Sequence, residues 1–268
     1  MKKNRLILIL VATIGFAFLE SCSDGEHDGY SNKETAKLEI RLTDAPSLYE
    51  KVNIDIRSMS INSTNDENSG WKDFPLFRPG VYNLTDFRNG ADTLLAKADI
   101  SVGEIRQIRL ELGSKNSIIK NNFEYHLFAP VGKEQGIIIK CDASMQVNKT
   151  YRLWLDFDAA RSVSTNGIGV FFLNPVIRVY SDDTGGIIEG VVLPSEARTA
   201  IWAIMGSDTL LAYPNSDGYY RFSGLEPSDE WKLVFNPSRM TYYRDLIKDS
   251  VTVTKSITTT VSTIKLKT

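Results

Sequence analysis

The residues with the greatest potential for chemistry are carboxylates, because histidine and cysteine are scarce. The chain has 268 residues and contains 33 Asp and Glu residues, but only two His and two Cys. Asp156 and Asp158 are separated by one residue, so on a strand both carboxylates would share one face, at a spacing that could suit a glycosidase pair. Because so many acidic residues produce such pairs by chance, we predict that the protein is not an enzyme.

Other common catalytic and cofactor patterns are missing from the sequence. Catalytic triads and dyads need an imidazole beside the nucleophile, and only His126 lies outside the polar N-terminal stretch that holds His27. There is no Cys and His cluster for zinc and no Gly-rich phosphate loop. Asp217 could belong to a calcium site, but an Asx turn followed by Gly218 is the simpler interpretation. We predict no catalytic residues, no metal site and no cofactor.

Cys22 is the residue with the clearest chemical role. A basic start, Lys2–Arg5, precedes an apolar run of 14 residues, Leu6–Leu19, which is typical of a secretory signal. That run is too short for a spanning helix, which needs about 20 residues. Leu19–Cys22 resembles a bacterial lipobox, although its second residue is acidic, and the resemblance implies a diacylglycerol thioether on Cys22. The alternative is an ordinary signal peptide in which Cys22 has no role.

The stretch after Cys22 predicts where the protein works. Ser23–Glu26 resembles the acidic surface-export tag of Bacteroides-type lipoproteins, which implies an outer-membrane protein facing the cell exterior. Residues 22–36 are polar and show no periodicity, so we predict a flexible tether there. Residues 1–21 are then the lipoprotein signal peptide, and the membrane is a partner through the lipid.

Composition and charge exclude several other classes. The formal net charge is −2, and loss of residues 1–21 removes three positive charges and one negative charge, which leaves −4. No basic footprint for nucleic acid is present. With Cys22 lipidated, Cys141 has no disulfide partner; Ile137, Ile139 and Cys141 alternate, so we predict a buried thiol.

Period-2 alternation from Lys37 onward predicts antiparallel strands. Leu38, Ile40 and Leu42 alternate with charged residues, and a second run contains Val52, Ile54 and Ile56. A polar linker at Ser181–Gly186 separates this region from a second series of short strands with turn signals between them. The pattern predicts two tandem β-sandwich domains, residues 37–181 and 185–268, hence an all-β protein.

Six short motifs in the first region resemble one family of uncharacterised bacterial lipoproteins, the domain-of-unknown-function 4382 family. The motifs are Leu42–Pro46, Gly70-Trp71, Tyr82–Leu84, Val102-Gly103 with Gln107–Leu110, Leu155–Ala159 with Ser162, and Asn174–Val179. The resemblance covers about Lys37 to Ser181. It implies a β-sandwich and brings no chemistry with it.

The second region resembles the carboxypeptidase-regulatory-like, transthyretin-like sandwich, a carbohydrate-binding-like fold. The resemblance rests on the opening Gly186–Val192, the turn Asp217–Phe222 and Gly224-Leu225. A glycine that usually precedes the next aromatic strand is replaced by Ser228–Glu230. No catalysis follows from this resemblance.

We therefore predict a non-catalytic, lipid-anchored binding or adhesion module with glycan as its ligand. The alternative is a structural spacer, or an assembly subunit of an outer-membrane or pilus-like complex that contacts a surface protein. Exposed aromatic rings stack on sugar faces, and adjacent aromatic residues on a strand point to opposite faces. The candidate stacking residues are Trp71, Tyr219, Tyr220, Tyr242 and Tyr243.

Overall fold

The computed structural model describes residues 34–45, 47, 49–129 and 136–268. Glu34–Thr268 form one compact unit composed almost entirely of β-strands. Within the described residues, no helix has the length and apolar character needed to cross a bilayer. The predicted all-β, multi-sandwich class is confirmed. The predicted signal peptide, Cys22 and most of the predicted tether lie outside the described residues.

The first sandwich consists of two sheets that enclose one hydrophobic core. One sheet has the strand order β13-β10-β1-β5, and the other has the order β11-β12-β8-β7-β2-β6-β9, with β3 and β4 also paired to β2. The strands are β1 Thr35–Ala45, β2 Lys51–Asn62, β3 Trp71–Asp73, β4 Gly80–Asn83, β5 Thr93–Ser101, β6 Gly103–Leu112, β7 Ser117–Lys120, β8 Phe123–Phe128, β9 Ile137–Met145, β10 Thr150–Asp158, β11 Val163–Thr165, β12 Phe171–Leu173 and β13 Ile177–Ser181.

The alternation in the sequence decides which residues form this core. Leu38, Ile40 and Leu42 of β1 are fully buried, because a side-chain period of two places them on the face opposite the charged residues. The first strand starts at Thr35, two residues before the predicted boundary at Lys37. In β2 the register shifts between Ile56 and Ser58, which is a β-bulge.

Pro175 lies where the chain passes from one sheet of the first sandwich to the other. β12 lies before it and β13 after it, and the two belong to different sheets. Proline has no N–H to contribute to a ladder, so the chain leaves one sheet and enters the other at Asn174–Val176. β13 lies at an edge of its sheet.

The second sandwich has its own core. Its sheets have the orders β17-β14-β20 and β16-β15-β18-β19. Tyr220, Trp231 and Phe235 are among its buried side chains. The strands are β14 Gly186–Leu193, β15 Ala200–Met205, β16 Asp208–Ala212, β17 Tyr219–Leu225, β18 Ser228–Asn236, β19 Leu246–Val253 and β20 Thr258–Lys265.

Candidate binding cleft between the sandwiches

Arg178 on β13 joins the two sandwiches. Its Nε donates a hydrogen bond to Oδ2 of Asp156 at 2.8 Å. Its Nη1 and Nη2 donate to the carbonyl oxygens of Gly224 at 3.0 Å and Ser223 at 2.5 Å, in the second sandwich. Asp156 is only 7% exposed, so the guanidinium compensates a carboxylate that would otherwise be buried without a counter-charge.

Stacked aromatic rings reinforce this junction. The rings of Trp154 and Tyr180, on neighbouring strands, have centroids 5.5 Å apart and planes 5° from parallel. Tyr180 packs so closely on Gly224 that a Cβ there would lie 2.2 Å from Cγ of the tyrosine, and Gly224 has φ +64°. Only glycine satisfies both requirements. The two sandwiches are therefore fixed against each other by close contacts.

A cleft of about 890 Å³ lies between the two sandwiches. The first sandwich contributes Tyr49, Glu50 and Arg88 to its walls, and the second contributes Glu196, Arg198 and Tyr213. Ligand sites occur preferentially at such junctions between domains. The cleft is the candidate functional site.

The two tyrosines place an aromatic ring on each side of the cleft. The Tyr49 ring packs edge-on against Phe171, with centroids 6.5 Å apart and an angle of 88°. Burial raises the pKa of Tyr49; burial, then the negative charge of Asp158, raise the pKa of Tyr213. Both hydroxyls are therefore protonated at neutral pH and can donate as well as accept hydrogen bonds.

The carboxylate pair that the sequence singled out has structural partners. Asp156 binds Arg178, and Asp158 caps the short helix Ala159–Ser162 by accepting from the backbone N–H of Arg161 at 2.8 Å. The Asp158 Oδ2 also accepts from Nε of Arg161 at 2.6 Å. Both carboxylates are therefore engaged in ion pairs.

Asp44 is buried at the end of β1, close to this pair. Its Oδ1 accepts from the backbone N–H of Ala159 at 3.1 Å, as expected for an aspartate that binds backbone amides. Its Oδ2 has no hydrogen-bond partner among the described residues. Burial raises the pKa of Asp44 well above its usual range, and the charges of Asp156 and Asp158 add to this effect. The side chain therefore favours its neutral form.

An Asx turn precedes Gly218, as predicted, but its side-chain acceptor is Asn215 and not Asp217. The Asn215 Oδ1 accepts from the backbone N–H groups of Asp217 at 3.0 Å and Tyr219 at 2.9 Å. Gly218 takes φ +81°. In the part of the chain that the structure describes, no group of three or more His, Cys, Asp or Glu residues could hold a metal ion.

The tyrosine pair on β17 points to opposite faces, as the strand geometry predicts. Tyr220 is fully buried and packs against Phe235, with ring centroids 5.7 Å apart. It therefore offers no face to a ligand, and its choice as a stacking residue was wrong. The half-buried Tyr219 donates its hydroxyl to Oε2 of Glu189 at 2.9 Å.

The remaining candidate aromatics lie outside the cleft walls. Tyr242 is 91% exposed, whereas Tyr243 is half-buried and donates to Oε1 of Glu196 at 3.2 Å. Trp71 is half-buried beneath the guanidinium of Arg109, whose Cζ lies 4.4 Å from the ring centroid. Trp71, Tyr242 and Tyr243 therefore do not form a common aromatic surface with Tyr49 and Tyr213 of the cleft.

The residues that form the cleft are not among those that the sequence patterns selected. Tyr49, Arg88, Arg198 and Tyr213 lie in connecting segments, outside the strands, and no periodic pattern selects them. One signal was available, because Tyr213 follows a strand directly and precedes Pro214. An aromatic residue at a strand end, beside a turn, is placed at the rim of a sandwich, where binding loops concentrate.

Cys141 and His126, the other side chains with reactive groups, differ in burial. Cys141 on β9 is buried, as the alternation predicted, and burial raises the pKa of its thiol to about 12. The thiolate is therefore a negligible species at neutral pH. His126 is exposed, and its ring meets that of Phe128 edge-on at 4.6 Å. Cys22 lies outside the described residues, so its lipidation stays a prediction.

Comparison with known proteins yields a family and distant structural similarities. A family model described as "Domain of unknown function (DUF4382)" matches residues 35–175, in agreement with the resemblance of the first region. A comparison with curated proteins found no match.

Three solved structures illustrate the distant similarity. The Bacillus anthracis TIE protein has 9% identity over 87% of this chain and 34% of that chain, with a TM-score of 0.23. The major pilin subunit BcpA of Bacillus cereus has 11% identity over 87% of this chain and 70% of that chain, with a TM-score of 0.24. A fimbrial protein from Bacteroides ovatus ATCC 8483 has 8% identity over 87% of this chain and 50% of that chain, with a TM-score of 0.23. This chain spans about a third of the TIE chain and half of the fimbrial protein. At these scores the similarities support no conclusion about function.

Proposed function

This chain belongs to the DUF4382 family, and we propose that it is a non-catalytic, lipid-anchored cell-envelope protein that binds a glycan in the cleft between its two sandwiches. One observation carries the proposal. The cleft has a volume of about 890 Å³ and a tyrosine in each wall, Tyr49 and Tyr213. Such a volume accommodates a short oligosaccharide.

The chemistry of the cleft suits a sugar. Saccharides combine flat C–H faces with hydroxyl groups, so they need aromatic rings beside polar donors and acceptors. The cleft supplies the rings of Tyr49 and Tyr213, the hydroxyl of Thr241 and the amide of Asn215. The resemblance of Gly186–Leu225 to carbohydrate-binding-like sandwiches supports the same ligand class.

A glycan array tests the binding function. The mature protein is compared with Tyr213→Ala, which removes one ring from the cleft, and with Tyr242→Ala, which removes an exposed ring elsewhere. We expect binding that Tyr213→Ala weakens and Tyr242→Ala leaves unchanged. The opposite pattern would place the site on the exposed loop at Tyr242, and a blank array would contradict glycan binding.

The proposed anchor is the lipid on Cys22. The signal-like stretch, the lipobox-like Leu19–Cys22 and the acidic Ser23–Glu26 support it, as does the length of chain between Cys22 and β1. Two or more acyl chains hold a protein on a bilayer stably. Cys22→Ala should move the protein to the soluble fraction; retention of this variant on membranes at high salt would refute the anchor. Protease treatment of whole cells tests the proposed outward orientation at the outer membrane.

The second candidate function is a rigid spacer or assembly subunit. The observation that favours it is the junction at Arg178 and Tyr180, which fixes two sandwiches against each other. On the edge strand β13, the side chains of Arg178 and Tyr180 contact the second sandwich. A blank glycan array together with in-cell cross-linking to one fixed protein partner would favour this function over the first.

A further inference from the structure

We propose that the ligand is a carboxylate-bearing saccharide, such as a uronic acid, held by Arg88 from one wall of the cleft and Arg198 from the other. This inference rests on the proposed function, because it specifies the ligand class of the same cleft. Its basis is a difference between the charged groups of the walls. The carboxylates accept hydrogen bonds from the protein, whereas the guanidinium groups form no ion pair among the described residues.

The two carboxylates of the cleft already accept hydrogen bonds from the protein. Both carboxylate oxygens of Glu50 accept from the backbone N–H of Asn122, at 3.2 and 3.3 Å. The Glu196 Oε1 accepts from the hydroxyl of Tyr243 at 3.2 Å. These contacts hold the carboxylates toward protein donors.

The two guanidinium groups have no such compensation. Among the described residues, neither Arg88 nor Arg198 has a carboxylate within ion-pair distance. The Nε of Arg88 donates to the carbonyl of Thr85 at 2.8 Å, and its Nη1 donates to the carbonyl of Ser47 at 3.5 Å. These bonds position the Arg88 side chain, while the remaining N–H groups of its guanidinium are free to donate. Arg88 is half-buried and acts electrostatically on the buried carboxyl of Asp44 without forming an ion pair with it, whereas Arg198 is exposed. Free donors on a positioned guanidinium suit an anion that can accept from them.

Arg198 is held at the opposite wall by an unusual backbone. It ends the 3₁₀ turn Ser195–Ala197 in the left-handed conformation, with φ 45° and ψ 54°, and its N–H donates to the carbonyl of Ser195. This conformation is unfavourable for a residue other than glycine. Strained backbone at a cleft wall is common where a side chain must be aimed at a ligand. The turn places the exposed Arg198 on the cleft wall opposite Arg88.

A carboxylate matches these two groups better than a neutral sugar does. The planar fork of a guanidinium binds the two oxygens of a carboxylate through parallel hydrogen bonds. With one arginine in each wall, an acidic saccharide can pair with the first sandwich and the second while its ring lies against Tyr49 or Tyr213. A neutral glycan leaves both cations unpaired.

The test is an array that contains uronic-acid oligosaccharides, sialylated glycans, neutral glycans, and an oligogalacturonate beside its neutral methyl ester. Arg198→Asn removes the guanidinium and leaves a residue that tolerates the left-handed backbone. Arg88→Gln is the second variant. Arg239→Ala is the matched control, because it removes an exposed arginine next to the cleft residues Ser238 and Met240 that does not itself line the cleft.

We expect binding to the carboxylated glycans, about tenfold weaker in Arg198→Asn, since a charge-assisted pair contributes at least ~1.4 kcal/mol. The methyl ester should lose a similar factor, added salt should weaken binding, and Arg239→Ala should have no effect. Equal binding of the acid and its ester, or an unchanged affinity in both cleft variants, overturns the charge inference and leaves glycan binding intact. A blank array overturns the proposed function and this inference with it.

Discussion

Arg178→Ala is expected to destabilise the protein by about 3 kcal/mol. The substitution removes the hydrogen bonds to the carbonyls of Ser223 and Gly224 and leaves Asp156, 7% exposed, without its counter-charge. Breaking a buried ion pair costs ~3–5 kcal/mol. Because the Arg178 side chain is itself 30% exposed, solvent screening reduces the loss to the lower end of that range. For a chain of this size, this corresponds to a fall in Tm of about 6–12 °C.

Arg152→Ala is the matched control on the same sheet. Arg152 is 52% exposed and reaches Glu39 at 3.4 Å and Asp182 at 3.5 Å, so its removal should cost no more than ~1 kcal/mol. Urea unfolding followed by tryptophan fluorescence measures both losses. Hydrogen exchange at residues 223–225 should accelerate in Arg178→Ala alone. If both variants lose the same stability, the guanidinium does not fasten the sandwiches and the argument is wrong.

Three further changes test other parts of the fold. Asp44→Asn keeps the acceptor for the N–H of Ala159 but removes a carboxyl whose pKa is raised by burial. The stability that the wild-type protein gains from the protonated carboxyl is present below pH ~4 and is lost as pH rises. The variant should therefore have a higher Tm than the wild type at pH 7 and little advantage at pH 4, and a lower Tm at pH 7 would contradict this. Cys141, with a pKa of about 12, should resist alkylation at pH 8 in the native protein and react after unfolding in urea; rapid native labelling would disprove its burial. Gly224→Ala should lower Tm, because the new Cβ would overlap Tyr180 and the residue has φ +64°; an unchanged Tm would show that the junction yields easily.

Local sequence patterns predicted the faces and turns of the fold but not its pairing. The alternation of Leu38, Ile40 and Leu42 identified a strand and its buried side, because a half-buried strand must alternate. Asn121 and Asn122, a residue type that favours turns, both take positive φ between β7 and β8. Local patterns cannot reveal that β1 lies parallel to β10, with Lys37 opposite Thr150. That pairing depends on the assembly of the whole core.

The candidate site was less accessible to sequence reasoning than the fold. Tyr220 and Tyr242 are both tyrosines in strongly aromatic stretches, yet one is fully buried and the other is 91% exposed. The cleft lies between two sandwiches, and residues far apart in the sequence, such as Arg88 and Arg198, both line it. No spacing in the chain encodes such a meeting, because it arises from contacts between separately patterned segments.

The position of β1 determines how the protein would respond to mechanical tension. Any pull along the chain from its N-terminal side enters the fold at Thr35, the first residue of β1. This strand lies inside its sheet, between β10 and β5, so traction along its axis loads both ladders of hydrogen bonds in shear at once. Ladders loaded in shear must yield together, whereas a strand peeled from an edge releases its bonds one by one. If the protein is anchored through Cys22, as proposed, drag on it would therefore be resisted by the hydrogen bonds that join β1 to β10 and β5.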